Sequence, residues 1–100
     1  YGMRGRAYFA HDKPNKAIAD YTKYIEIDPN NPLAYSDRAL AYSALGELDK
    51  AIEDCNKAIE IDPTLAKSYL ARGRAFGELG NKEHAEADFA KAQELGYKPE

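Results

Sequence analysis

Three arginines and three aspartates recur in this sequence at one fixed interval. Each arginine is followed by an aspartate at the same spacing, and each such pair returns once per period of the chain. Because buried charges in proteins are normally paired, this register predicts one ion pair per repeat, joining two neighbouring helices. A lysine shortly after each aspartate could compete for the same carboxylate. The predicted pairs are Arg4 and Asp20, Arg38 and Asp54, and Arg72 and Asp88, and the competing lysines are Lys23, Lys57 and Lys91.

Catalytic and metal-binding chemistry has little support in the sequence. It contains no Gly-rich phosphate loop, no Gly-x-Ser-x-Gly turn and no His-Glu-x-x-His motif. His84 and Asp88 have i, i+4 spacing and could share a metal on a helix, but no third ligand accompanies them. Cys55 lies 34 residues after Tyr21 and 34 residues before Phe89, so it occupies the equivalent position in a repeating pattern. That position indicates a buried packing residue and not a nucleophile. We therefore expect no enzymatic activity, no catalytic residue, no metal and no cofactor.

The composition is that of a folded, acidic chain. Its 100 residues are 44% hydrophobic and 31% charged, and a net charge of −3 argues against general nucleic-acid binding. No apolar run approaches the roughly 20 residues that span a membrane, and the single Cys55 excludes an internal disulfide framework. Because the chain starts at Tyr1 inside a helical pattern, we interpret it as part of a longer protein. Its sequence does not determine the cellular compartment.

Internal repetition with a 34-residue period organises these groups. The tripeptide Ile27-Asp28-Pro29 returns as Ile61-Asp62-Pro63, and the same offset links Tyr1, Tyr35 and Tyr69. The period divides the chain into three repeats, residues 1–31, 32–65 and 66–100.

Each repeat is predicted to contain two amphipathic helices, here called A and B, joined by a short break. The breaks are expected at Asp12-Lys13-Pro14, at Gly46 and at Gly80-Asn81. Asn31 is the predicted N-cap of the second A helix, with Pro32 at its first position. No segment shows a strand pattern, so the sequence predicts an all-α fold of six helices.

A 34-residue helix–turn–helix unit with these columns resembles the tetratricopeptide repeat. The middle repeat carries the resemblance at Tyr35, Ala39, Tyr42, Gly46, Ala51, Ala58 and Pro63. The third carries it at Tyr69, Gly73, Phe76, Gly80, Ala85, Phe89 and Ala92, and the first at Tyr1, Gly5, Tyr8, Ala17, Tyr21 and Pro29. Tyr24 departs from the small residue of the other two repeats, which implies a wider gap between the first and second repeats.

The resemblance implies a right-handed α-α superhelix, a solenoid of three antiparallel helix hairpins. In this family the A helices line a concave groove and the B helices face outward. Members are mostly scaffolds that hold peptides or extended segments in the groove, so the expected partner is a protein or peptide. The alternative is an internal section of a longer solenoid, used for spacing or for self-association through its uncapped ends.

The expected A helices, residues 1–11, 32–45 and 66–79, hold six basic and two acidic side chains, a net charge of +4, so the remainder carries −7. A basic groove favours an acidic ligand. Arg6 and Arg74 share a column in which the middle repeat has Leu40, and they lie about 200° around the helix from the ion-pair arginines. We expect them to face the groove, although solvated surface arginines are the alternative. The other predicted groove residues are Met3, Leu33, Ser36, Asp37, Leu40, Lys67, Leu70 and Ala71.

One known binding mode of the family is a clamp for a C-terminal carboxylate, built from lysine, asparagine, asparagine, lysine and arginine. The corresponding positions here are Gly2, Arg6, Asp37, Lys67 and Ala71. Only Lys67 matches, and Asp37 would repel a carboxylate. The sequence therefore argues against this clamp.

Overall fold

The chain is an array of helices. A computed structural model describes the backbone of residues 2–97 and the side chains of residues 14–97. The five helices are α1 (Gly2–Ile27), α2 (Pro32–Ala44), α3 (Leu48–Ile61), α4 (Ala66–Glu78) and α5 (Lys82–Glu94). Over residues 2–97 there is no β-strand. Each helix packs against the next one along the chain, and α2 also packs against α4.

The turns after α2, α4 and α5 share one geometry. Gly46, Gly80 and Gly96 all have positive φ angles, of 81°, 87° and 113°. In each case the residue after the glycine donates its amide back to a carbonyl in the last turn of the helix, as Glu47 N does to Tyr42 O at 2.9 Å. This is the Schellman motif, and it depends on a residue that adopts the left-handed conformation without strain. The predicted breaks at Gly46 and Gly80-Asn81 are confirmed.

The start of α2 also follows the sequence prediction. The side chain of Asn31 accepts hydrogen bonds from Leu33 N at 3.0 Å and Ala34 N at 3.4 Å, and Pro32 occupies the first helical position. The cap satisfies amides that have no partner within the helix.

The predicted break at Asp12-Lys13-Pro14 is wrong. α1 is one helix of 26 residues with Pro14 inside it, so the structure has five helices and not six over the residues it describes. The physical reason lies in the column of the turn glycines, where the first repeat has Asp12. An aspartate adopts the left-handed conformation less readily than glycine, so the Schellman turn does not form. The continuous helix accommodates Pro14, although proline lacks a backbone N–H donor and crowds the carbonyl four residues before it.

Small residues let the helices approach closely in the core. Ala39, Ala51, Cys55, Ala71 and Ala75 form one buried cluster, none of them more than 1% exposed. Partly buried residues packed against the cluster are Leu40, Tyr42, Leu48 and Ile52.

Tyr24 lies mainly at the surface. Its side chain is 46% exposed, whereas its counterparts Ala58 and Ala92 are fully buried, and its hydroxyl accepts a hydrogen bond from Asn31 Nδ2 at 2.9 Å. The ring is thus partly turned to solvent at the junction of the first and second repeats.

Candidate functional site

Two of the three arginine–aspartate pairs lie within the described side chains, and both are formed. Arg38 donates from Nε to Asp54 Oδ2 at 2.7 Å and from Nη2 to Asp54 Oδ1 at 2.8 Å. Its third nitrogen, Nη1, donates to Thr22 Oγ1 of α1 at 3.1 Å. The hydrogen bond to Asp54 is the main reason why the pKa of Arg38 is raised. One side chain on α2 thereby connects the helix before it with the helix after it.

Arg72 repeats this arrangement one unit later. Nε and Nη2 each donate to a carboxylate oxygen of Asp88 at 2.8 Å, and Nη1 donates to Asn56 Oδ1 of α3 at 2.8 Å. The bond to Asp88 raises the pKa of Arg72. Neither arginine is therefore free for a ligand. In the first repeat Asp20 is exposed, and Arg4 lies outside the described side chains.

The predicted groove residues on α2 and α4 fall into two groups. Leu33 is 48% exposed, and Leu40 and Leu70 are half-buried, so all three present apolar surface. Ser36 and Ala71 are buried, at 0% and 1% exposure. They offer almost no surface to a ligand, which corrects the expectation for these two positions.

The buried hydroxyl of Ser36 has a hydrogen-bond partner across the repeat junction. Its hydroxyl lies 2.7 Å from the hydroxyl of Ser68, which is also fully buried. Each hydroxyl satisfies the other where water cannot reach. Periodicity does not predict this pair, because the position equivalent to Ser36 in the next repeat is Leu70, and Ser68 lies two residues before it.

An ion pair joins α2 and α4 at the same face. Lys67 Nζ binds Asp37 Oδ1, and Tyr21 of α1 lies close enough to Asp37 that burial, followed by the negative charge of Asp37, raises the pKa of the Tyr21 phenol. From the sequence, Asp37 and Lys67 are predicted as a repulsive and an attractive group for a ligand carboxylate, and not as a pair. Their spacing, about one helical turn short of the repeat period, was the available signal for the pair.

Arg74 is the predicted groove arginine of α4. Its side chain is exposed, and none of the described residues forms an ion pair with it. Arg38, Arg72 and Lys67 are all paired with carboxylates, so three of the four cations of α2 and α4 are neutralised within the chain. Met3 and Arg6, the remaining predicted groove residues, lie outside the described side chains.

Cys55 and His84, the residues considered for nucleophilic or metal chemistry, both pack against other residues of the chain. Cys55 is fully buried, and burial raises the pKa of its thiol to about 12. His84 Nδ1 lies 2.9 Å from Asn81 Oδ1, and its ring packs against Phe76 with centroids 5.0 Å apart. Within the described part of the chain, no three His, Cys, Asp or Glu residues are placed to hold a metal ion. The same residues include no helix that is long and apolar enough to cross a membrane.

Stacked helix hairpins with a repeated interhelical ion pair define a helical-repeat solenoid. Models of the tetratricopeptide repeat match residues 32–65 and 66–95, and a further model described as a TPR repeat matches residues 5–46. The chain belongs to the tetratricopeptide repeat family. No curated protein sequence matches it significantly.

Solved structures of this family are similar over most of the chain. The first TPR of Spaghetti (RPAP3), bound to the HSP90 peptide SRMEEVD, is 36% identical with a TM-score of 0.82, covering 94% of this chain and 75% of that one. The Arabidopsis OM64 TPR domain is 36% identical with a TM-score of 0.84, over 96% and 79%. The Sgt2 TPR domain from Aspergillus fumigatus is 35% identical with a TM-score of 0.81, over 93% and 62%.

Proposed function

We propose that this chain is a non-enzymatic scaffold for protein–protein interaction, and that the face of its A helices binds a peptide of acidic character. The observation that carries the proposal is the composition of that face on α2 and α4. Leu33, Leu40 and Leu70 present apolar surface on α2 and α4, and Leu70 precedes Arg74 by about one turn of α4. Arg74 is a cation that no described carboxylate neutralises. Apolar anchors with a charged neighbour are the usual elements of a peptide-recognition groove.

The ligand's acidic side chains, not its C-terminal carboxylate, are proposed to make the polar contacts. Of the five clamp positions only Lys67 has the matching residue, and Lys67 is already bound to Asp37. Arg74 can bind a carboxylate with two parallel hydrogen bonds. The peptide in the similar Spaghetti structure carries acidic residues, which supports the acidic preference without assigning that peptide to this chain.

Titration with three matched peptides tests this proposal. The first is an acidic peptide with leucine anchors, the second is the same peptide with an amidated C-terminus, and the third has its glutamates changed to glutamine. We expect amidation to change affinity less than about 2-fold and the glutamine peptide to bind about 10-fold more weakly, or about 1.4 kcal/mol. Equal binding of the glutamate and glutamine peptides would overturn the acidic preference.

Arg74→Ala identifies the side chain responsible. It should weaken binding of the acidic peptide about 5-fold and flatten its dependence on salt, because a screened charge pair is lost. Lys82→Ala is the matched control, since Lys82 is an exposed cation at the start of α5. If the two substitutions weaken peptide binding equally, the loss reflects the change in net charge and not a contact made by Arg74.

A second candidate function is that of a solenoid section that associates through an uncovered end. The observation in its favour is the exposure of Asp20 in the first repeat, where the equivalent aspartates are buried. Sedimentation of the chain tests self-association directly, and a single-chain mass at every concentration counts against it.

A further inference from the structure

The first repeat leaves uncovered a surface that the other two repeats bury. Asp20 on α1 is exposed and Ala17 is half-buried. Their counterparts Asp54 and Asp88 are 6% and 5% exposed, and Ala51 and Ala85 are 0% and 5% exposed. The difference is large at two positions of one helix face, so none of the side chains at 14–97 covers this face as the A helix does in the other two repeats.

In the third repeat, the covering element is the repeat's own A helix. Arg72 of α4 binds Asp88 of α5, and the ring of Phe89 lies against Gly73, where an added Cβ would come within 2.9 Å of it. Residues 2–11 are the A segment of the first repeat by the repeat period. They cannot cover α1 in the same way, because a continuous helix carries them away from residues 16–21 at about 1.5 Å per residue.

Residues 2–11 nevertheless match this surface in size. Across the helix hairpin, Gly73 faces the large Phe89, whereas the equivalent pair in the second repeat is Ala39 with the small Cys55. The first repeat has Gly5 in the same column, and the partner column holds the large Tyr21. A glycine opposite an aromatic ring is what close packing of these two segments requires.

Charge matches in the same way. Arg4 stands in the column of Arg38 and Arg72, and Asp20 stands in the column of their carboxylate partners. Residues 2–11 are therefore complementary to the open surface of α1 in both size and charge. Because they lie on the same unbroken helix, they cannot reach that surface within one chain.

We propose that residues 2–11 of a second copy of this chain cover the open surface of α1, with Arg4 of one copy binding Asp20 of the other. Reciprocal exchange of an identical segment closes a domain-swapped dimer. The hinge is the stretch from Asp12 to Pro14, which continues the helix where the other repeats turn at glycine. This interface is distinct from the peptide-binding face of α2 and α4, and it gives the second candidate function a defined contact.

Charge exchange between copies separates the swapped dimer from a closed monomer. Arg4→Asp places two acidic groups at the contact and Asp20→Arg places two basic groups there, so each variant alone should dimerise at least ~10-fold more weakly than the unchanged chain. In an equimolar mixture both contacts of a heterodimer pair opposite charges. We expect native mass spectrometry to show the heterodimer at a concentration at which each variant alone is monomeric. The charge reversal Glu60→Arg, on exposed α3 surface, is the control and should leave dimerisation unchanged.

Restoring the turn should have the opposite effect. Asp12→Gly supplies the residue that the second and third repeats use at this position, so the first hairpin closes and the dimer dissociates. Light scattering should then give the mass of one 11.1 kDa chain, while the unchanged chain gives twice that mass. A single-chain mass for the unchanged chain at high micromolar concentration, or no heterodimer in the mixture, would overturn the swap. Either result leaves peptide binding by α2 and α4 measurable, so the two proposals fail separately.

Discussion

Asp54 receives two hydrogen bonds from a single guanidinium group, that of Arg38, at 2.7 and 2.8 Å. The arginine lies on α2 and the aspartate on α3, and both side chains are largely shielded from water, at 17% and 8% exposure. Two parallel hydrogen bonds from a planar guanidinium hold a carboxylate in a defined orientation. The pair therefore fixes how the two helices of a repeat sit against each other, and it leaves recognition to residues outside this column.

Removing the carboxylate of this pair should destabilise the chain strongly. Asp54→Ala leaves the Arg38 guanidinium without its partner in a mostly buried site, and we expect a loss of about 3 kcal/mol in the free energy of unfolding. Urea denaturation followed by circular dichroism measures it. Glu60→Ala is the control, because Glu60 pairs with Lys57 on exposed surface and surface pairs contribute little. A similar cost for both substitutions would contradict the structural role of Asp54.

Two glycines of α4 should respond differently to the same substitution. A Cβ on Gly73 would lie 2.9 Å from the Phe89 ring, whereas one on Gly77 would lie 3.8 Å from Ala85 Cβ. We expect Gly73→Ala to cost about 1–3 kcal/mol through overpacking, and Gly77→Ala to be neutral or stabilising because alanine favours the helix. Thermal denaturation of the two variants compares them. Phe89→Leu should reduce the cost of Gly73→Ala, and an additive double variant would contradict the contact.

The hydroxyls of Ser36 and Ser68 should behave as one unit. Ser36→Ala leaves the buried hydroxyl of Ser68 without its partner, at an expected cost of about 1–2 kcal/mol. Replacing both serines by alanine removes both polar groups, so the double variant should cost less than the sum of the single variants. A double-mutant cycle by urea denaturation measures this coupling, and strict additivity would show that the bond contributes nothing.

The thiol of Cys55 should be inert in the folded chain. Burial raises its pKa to about 12, so at pH 8 almost none is present as the reactive thiolate. Reaction with a disulfide reagent should be slow and should accelerate in urea along with unfolding.

The same shift has a pH dependence. Because the folded chain keeps a proton that the unfolded chain releases above about pH 8.5, the contribution of Cys55 to stability should decrease as the pH rises from there toward the folded-state pKa of about 12. Comparison with the Cys55→Ala variant isolates this contribution to stability.

Fast modification of the Cys55 thiol in the native state at pH 8 would contradict its burial.

Periodicity was enough to predict the helices of the second and third repeats, because the turn glycines Gly46 and Gly80 and the aspartate partners of Arg38 and Arg72 recur at one offset. Asn31, Gly46 and Gly80 each carry a local conformational preference that the fold obeys. The same method failed at Asp12, since the helical pattern on both sides of it is strong and the residue that would end the helix is absent. Helices α2, α4 and α5 are each followed by a turn glycine with positive φ, and Pro14 without such a glycine before it does not end α1.

The candidate site was less predictable than the fold. Column comparison recognises residues that repeat, but Asp37 with Lys67 and Ser36 with Ser68 join positions that do not share a column. Such contacts depend on how one repeat packs on the next, which no single repeat encodes. The net charge of the A helices also overstated the number of cations that a ligand can use, because it left out the carboxylates of α3 and α5 that bind Arg38 and Arg72.

The most direct test of the account is to map the bound peptide on the chain by NMR. Titration of the ¹⁵N-labelled protein with the acidic, leucine-containing peptide should shift amide resonances along α2 and α4, centred on Leu33, Leu40, Leu70 and Arg74. Resonances of outward residues on α3 and α5, such as Glu53 and Glu86, should remain in place. Shifts confined to α3 and α5, or no shift at millimolar peptide, would contradict the proposal that the A-helix face is a peptide-binding groove.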